Sequence, residues 1–214
     1  MFITNKYFII SRKESQRIQR TGELALTEHP AEFGDKLTNP EITTDFAESQ
    51  VEMITPPFPS IQSTYGYLSE IQRRVEAGIG DELLWPLSMP PRLPEEQYIP
   101  IAKFNDSAIG SEKEIYRKGL ALRYGKKMQM ISGIHYNFSF GSQLLDFLCR
   151  QFGNDRGKQD FINEVYFALT RNFLRYRWLL IYLFGASPTI DATYHSVICC
   201  DLKIITQCCP GPPD

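Results

Sequence analysis

This sequence has no cationic surplus. Its formal net charge is -2, so it lacks the basic excess that holds a nucleic-acid partner, and none is expected. It has no apolar run long enough to cross a bilayer. The longest, residues 178–186, falls far short of the roughly 20 residues a spanning helix needs, so no membrane partner is expected. The start offers only the short apolar stretch Tyr7-Phe8-Ile9-Ile10, too little for a signal peptide, and a cytoplasmic location is expected. Cysteine is sparse and wrongly spaced for zinc. Of 5 cysteines, Cys149 stands alone and the others form the adjacent pairs Cys199-Cys200 and Cys208-Cys209, which do not match C-x-x-C. In a cytosolic protein they are expected to be reduced thiols. There is no G-x-x-x-x-G-K-[ST], G-x-G-x-x-G or G-x-S-x-G phrase, so any use of ATP rests on a different kind of site. No internal repeat or low-complexity tract is present.

What is present suits a folded interior. The chain has 214 residues, 43% of them hydrophobic, with 14 Phe and 11 Tyr, enough for one domain or one large piece of a domain. Residues 22–27 alternate as a short strand would. Residues 41–55 read as extended structure ended by Pro56-Pro57 and Pro59. In residues 60–76, Ile61, Tyr65, Leu68, Ile71 and Val75 recur at helical spacing, with Ser60 or Ser63 as cap. Ser111 and Glu114 fit a capping box for a helix reaching about Arg123 and stopped by Gly125. Residues 128–140 read as a second strand, with Gln129, His135, Asn137 and Ser139 on its polar face. Residues 160–184 read as a long helix, continuous or broken once, with an apolar stripe through Phe161, Val165, Leu169, Phe173 and Tyr176. Residues 197–206 have the character of a strand. Strands and helices without regular alternation predict an α+β fold: a partial antiparallel sheet with flanking helices.

One polar cluster stands out from pattern alone. Asp45, Glu48 and Glu52 lie on one predicted strand, Glu14 near the start, and His135 on another strand. Carboxylates gathered on one sheet face suit magnesium, which prefers oxygen ligands and shares its shell with waters and substrate phosphates. A solvated sheet face explains the same pattern and is the commoner case.

Whole phrases then point to a family. Lys13-Glu14-Ser15-Gln16-Arg17, Gly22-Glu23-Leu24-Ala25 and His29-Pro30 come first. Thr43-Thr44-Asp45-Phe46-Ala47-Glu48 and Val51-Glu52-Met53-Ile54-Thr55-Pro56 follow. Trp85-Pro86-Leu87-Ser88-Met89-Pro90, Tyr116-Arg117-Lys118-Gly119-Leu120, Ile131-Ser132-Gly133-Ile134-His135-Tyr136-Asn137-Phe138 and the stretch from Arg171 to Pro188 complete the set. In order and spacing they resemble the N-terminal part of the bacterial glutamate–cysteine ligases, with some wording closer to the bifunctional glutathione synthases.

The resemblance implies a glutamine-synthetase-like ligase fold. It implies ATP-dependent formation of γ-glutamylcysteine from glutamate and cysteine through a γ-glutamyl phosphate, with magnesium as cofactor. It places Glu14, Glu52 and His135 at metal positions. Asp45 and Phe46 fall beside the substrates, and Tyr116, Leu120 and Gln129 in the cysteine pocket. Asp45 and Glu52 have opposite strand parity, which a bulge between them would reconcile. Two departures are expected to matter. Arg12 stands where the family pattern has a metal-binding carboxylate, and a fixed cation there should repel the metal. The resemblance covers residues 1–188 as the first part of a longer ligase module and leaves residues 189–214 as a divergent tail. The chain is therefore expected to be cut short, and either inactive alone or in need of a second half.

Overall fold

A computed structural model describes residues 6–153, 157–185, 190–195 and 197 of the chain. Its strands are β1 (Tyr7–Ile18), β2 (Ile42–Thr44), β3 (Gln50–Ile54), β4 (Leu83–Leu84) and β5 (Ile134–Phe140). Its helices are α1 (Ile61–Gly78), α2 (Ala108–Tyr124), α3 (Ser142–Phe152) and α4 (Lys158–Phe184). The strands form a five-stranded sheet in the order β2-β3-β1-β4, with β5 also pairing with β1. The pairs of β1 with β3, β1 with β4, and β2 with β3 are antiparallel. The architecture is α+β, as the sequence predicts.

The central strand, β1, went unrecognised in the sequence. Its buried positions include Ser15, Gln16 and Arg17, so no apolar alternation marks its second half. Residues 41–55, read as one strand, are a hairpin. Ile42, Thr43 and Thr44 face Met53, Glu52 and Val51, and Asp45 and Gln50 close the turn by the bond from Asp45 N to Gln50 O, 3.0 Å. The five residues 45–49 hold no Gly, Pro or Asn, and only Asp45 and Ser49 at the two ends are of turn-forming type, so the turn is weakly marked. This hairpin, rather than a bulge, is what separates Asp45 from Glu52. Residues 22–27 form only isolated bridges, Ile18 with Leu24 and Glu23 with Arg92.

The helices sit close to their predicted places. The Ser60 hydroxyl accepts from Ser63 N at 3.1 Å at the start of α1. Helix α2 starts earlier than predicted, because Ser107 rather than Ser111 caps it, accepting from Gly110 N at 3.0 Å. Glu114 instead accepts from Phe104 N at 2.9 Å. Gly125 ends α2 with φ 82°, a left-handed conformation glycine adopts at little cost, and its N–H returns to Ala121 O. Helix α4 is unbroken.

Two compact units emerge. One comprises Arg12–Ile54, Leu68–His135 and Thr189–Asp214. Its core joins Leu24, Phe46, Ala47, Leu93, Ile99, Met130 and Tyr194, all under 5% exposed. Tyr194 lies beyond Pro188, so part of the segment set apart as a tail is core. Lys127 Nζ donates to Thr193 O at 2.9 Å, and Leu93 N to the Thr193 hydroxyl at 3.0 Å. Of the predicted strand 197–206 only Val197 is described, packed against this core; both cysteine pairs lie outside the described residues.

The same unit buries a cation. The Arg17 side chain is 1% exposed. It donates to Glu82 at 2.5 Å, to Thr27 Oγ1 at 2.7 Å, and to the carbonyls of Thr27, Glu28 and Glu48 at 2.9–3.0 Å. A guanidinium's fork of donors suits such a nest of acceptors.

The other unit comprises Met1–Ser11, Thr55–Tyr67 and Tyr136–Pro188. Ile9 exchanges backbone hydrogen bonds with Phe58, and Ile9, Leu145 and Phe161 are buried. Tyr7, Phe138, Phe140 and Tyr166 stack in succession at 5.0–5.7 Å, and Tyr166 Oη accepts from Phe140 N at 3.0 Å. Of the stripe predicted on α4, Phe161 is buried, whereas Leu169, Phe173 and Tyr176 are exposed.

Candidate functional site

The site is built on β1. Glu14 lies directly opposite Glu52 on β3, and Arg12 is two residues from Glu14, on the same face of the strand. The Glu14 and Glu52 side chains are only 10% and 12% exposed. Glu14 is clamped by Gly133 N, 2.8 Å from Oε2, and by His135 Nε2, 2.9 Å from Oε1. Glu52 carries Arg12, whose Nη1 lies 3.4 Å from Oε1. Asp45, at the hairpin turn, completes the acidic face. Its pKa is pushed up to about 6, first by burial and then by the negative charges of Glu14 and Glu52, with Arg117 and His135 opposing.

Arg117 is the functional candidate that the sequence reading passed over. From α2 its guanidinium donates to the backbone carbonyls of Asp45 and Thr44 and lies 4.7 Å from the Phe104 ring centre, a cation–π distance. It stands in the Tyr116-Arg117-Lys118 phrase, where Tyr116 drew the attention.

The remaining predicted residues are placed otherwise. Phe46 is 2% exposed in the hydrophobic core. Leu120 is partly buried against the same core. Tyr116 is 64% exposed on α2. Gln129 lies in a 3-10 turn, Lys127–Met130, so it shares no strand face with His135; β5 begins only at Ile134. Burial of Met130, whose carbonyl accepts from Gln16 Nε2 at 3.0 Å, holds that turn. Glu48 does not join the acidic face. It is bound by Lys36 at 2.8 Å and by the backbone N–H groups of His29 and Lys103.

The donor set does not make a magnesium site as it is arranged. Among the described residues no three His, Cys, Asp or Glu side chains gather so that they could hold a metal. Arg12 stands on Glu52, and the His135 ring on Glu14, where a cation would need oxygen ligands.

The α+β fold that carries this acidic face matches solved ligases. The fold matches a glutamate–cysteine ligase from Francisella tularensis solved in complex with AMP, with TM-score 0.81 and 38% identity over 90% of this chain and 37% of that one. It also matches a bifunctional glutathione synthetase from Pasteurella multocida, with TM-score 0.80 and 41% identity over 86% of this chain and 24% of that one. A glutamate–cysteine ligase from Clostridium acetobutylicum is 61% identical over 92% of this chain and 41% of its own length. One from Pseudomonas aeruginosa is 49% identical over 85% and 34%. The sequence model of glutamate–cysteine ligase matches residues 5–207, running past Pro188. The chain belongs to the glutamate–cysteine ligase family, and it spans about two fifths or less of the length of these relatives.

Proposed function

We propose that this chain supplies part of the active site of an ATP-dependent ligase that joins glutamate to cysteine. The supporting observation is the 61% identity to a glutamate–cysteine ligase along 92% of the chain. In that reaction the glutamate γ-carboxylate oxygen takes the terminal phosphoryl group of ATP, releasing ADP. The cysteine amino group then attacks the acyl carbon, forming the amide as phosphate leaves and the amine gives up a proton. Most of the catalytic work in such a sequence is positioning and charge stabilisation.

The acidic face suits one part of that task. Asp45 holds its proton to about pH 6, first because it is buried and then because Glu14 and Glu52 place negative charge beside it. An ammonium group of an amino-acid substrate placed there relieves that repulsion. Arg117 braces the hairpin carbonyls that set Asp45 in place. Glu14, Glu52 and His135 remain the candidates for meeting ATP's magnesium, but only once Arg12 and His135 release the two carboxylates; no step of the reaction is assigned to the ion. Tyr116, Leu120 and Gln129 are proposed for the cysteine side on their phrases alone. The cytoplasm, where ATP and reduced cysteine are at hand, is the proposed location.

The test is ADP release by the purified chain with glutamate, cysteine, ATP and magnesium, the product being identified by mass. The chain alone is expected to show no turnover. The chain with the remaining part of a ligase relative is expected to yield γ-glutamylcysteine. Turnover by the chain alone would show that the described residues suffice, and absence of product from a stable assembly of both parts would overturn the ligase reading.

A further inference from the structure

The last three turns of α4 are apolar on every side. Ten of residues 173–184 are aliphatic or aromatic, and each of the ten is at least 42% exposed. Ile181, Tyr182 and Phe184 reach 65%, 80% and 79%. A helix that is apolar all round belongs inside a protein core or a membrane, because no orientation against a single neighbour covers it. No described helix is long and apolar enough to cross a membrane. Arg175 and Arg177 interrupt the run, which argues for a protein interior with polar partners rather than lipid. The neighbouring strand β5 adds to the same unit an exposed Tyr136 and Phe138. Contiguous exposed apolar side chains of this kind mark interaction surfaces.

The relatives indicate what covers it. The chain accounts for 34–41% of the length of the curated ligases it matches, and for 37% of the solved Francisella tularensis enzyme. We infer that the α4 surface is a docking face for the polypeptide that supplies the rest of the ligase fold, which encloses the end of α4 as core. This inference rests on membership of the family and not on turnover. It requires that the two parts assemble whether or not they react.

The experiment mixes the unaltered 214-residue chain with the part of the Clostridium acetobutylicum ligase that the chain does not cover. Light scattering after size exclusion reads the stoichiometry, and hydrogen exchange reads α4. A one-to-one complex with amide exchange over residues 173–184 slowed at least tenfold is expected. Ile181→Asp with Phe184→Asp should weaken association at least tenfold while leaving the circular dichroism spectrum of the free chain unchanged, since both side chains are exposed. A stable dimer of the chain with α4 protected would overturn the inference in favour of a second copy. Two separate species, or a complex in which residues 173–184 exchange as before, would overturn it outright, as would α4 protection by phosphatidylglycerol vesicles alone. Assembly without γ-glutamylcysteine would leave the docking face standing and sink the functional proposal instead.

Discussion

In the unit around Arg17, charges lie inside and are paired; in the unit carrying α4, large apolar side chains lie outside and are bare. Arg17 is enclosed by acceptors from the segments 27–28, 48 and 82, so its removal strands several polar groups at once. Trp178, 61% exposed, touches little that depends on it. The buried guanidinium is held through Nη1 and Nη2 while its Nε has no partner, so the first unit depends on a few polar contacts within itself, whereas exposed apolar area makes the second dependent on what covers it.

Substitutions at these two positions should differ most. Arg17→Ala is expected to destabilise its unit by about 3–5 kcal/mol, the usual cost of breaking a buried ion pair from one side. Urea unfolding followed by circular dichroism reads this directly. A loss below about 1 kcal/mol would mean that water replaces the guanidinium, and the contrast between the units would fall.

Within the same unit, Asp45 and His29 bend stability in opposite directions with pH. An acid held at about 6 binds its proton more tightly in the fold than in the unfolded chain. Its contribution is full below about pH 4 and is lost as pH rises through 6. Asp45→Asn should therefore gain up to about 2 kcal/mol relative to the parent at pH 8 and little at pH 4, allowing for partial exposure. His29 is lowered from 6.5 to about 4, chiefly by burial and then by Lys36. The unfolded chain binds the extra proton between those values, so His29 costs stability as pH falls through that window. His29→Gln should flatten the acid side. Melting curves for both variants from pH 4 to 8 decide the matter; parallel pH profiles for parent and variants would show that neither group is perturbed.

Arg12 gives a smaller effect, about one order of magnitude. If its guanidinium competes with divalent cations at Glu52, Arg12→Glu should tighten magnesium binding about tenfold, or roughly 1.4 kcal/mol. Titration calorimetry with magnesium chloride alone measures it, and unchanged affinity would remove Arg12 from the account. Trp178→Ala should sit at the bottom of the scale, within about 0.5 kcal/mol in the isolated chain.

The sequence was most legible where local chemistry punctuates it. The spacing of Ile61, Ile71 and Val75, the Ser60 cap and the Gly125 stop give α1 and the end of α2 almost to the residue, because helices are specified within their own few turns. Strand β1 is hidden in the sequence because three of its buried residues are Ser15, Gln16 and Arg17, whose burial depends on partners dozens of residues away. The hairpin of β2 and β3 reads as one strand in the sequence because its turn, with Asp45 and Ser49 but no Gly, Pro or Asn, is weakly marked. Of the candidate site, Glu14, Asp45, Glu52 and His135 stand out in the sequence from pattern as well as from phrases, whereas Glu48, in the same pattern, is drawn off by Lys36. Arg117 was missed because a single arginine on a weakly patterned helix carries no signal of its own. The apolar stripe read on α4 holds at Phe161 and is exposed at Leu169, Phe173 and Tyr176, since periodicity tells which residues are apolar but not whether anything meets them.

The clamp on Glu14 also sets a schedule for synthesis. Its partner His135 lies 121 residues further along, so at about 5–20 residues per second the strand waits on the order of 6–25 s for it. β3 and β4 emerge earlier and can already pair with β1, but β5 and the clamp on Glu14 cannot form until then. Arg12, Lys13, Glu14 and Arg17 then act as gatekeepers, charges that keep the nascent strand in water until the residues that neutralise them have been made.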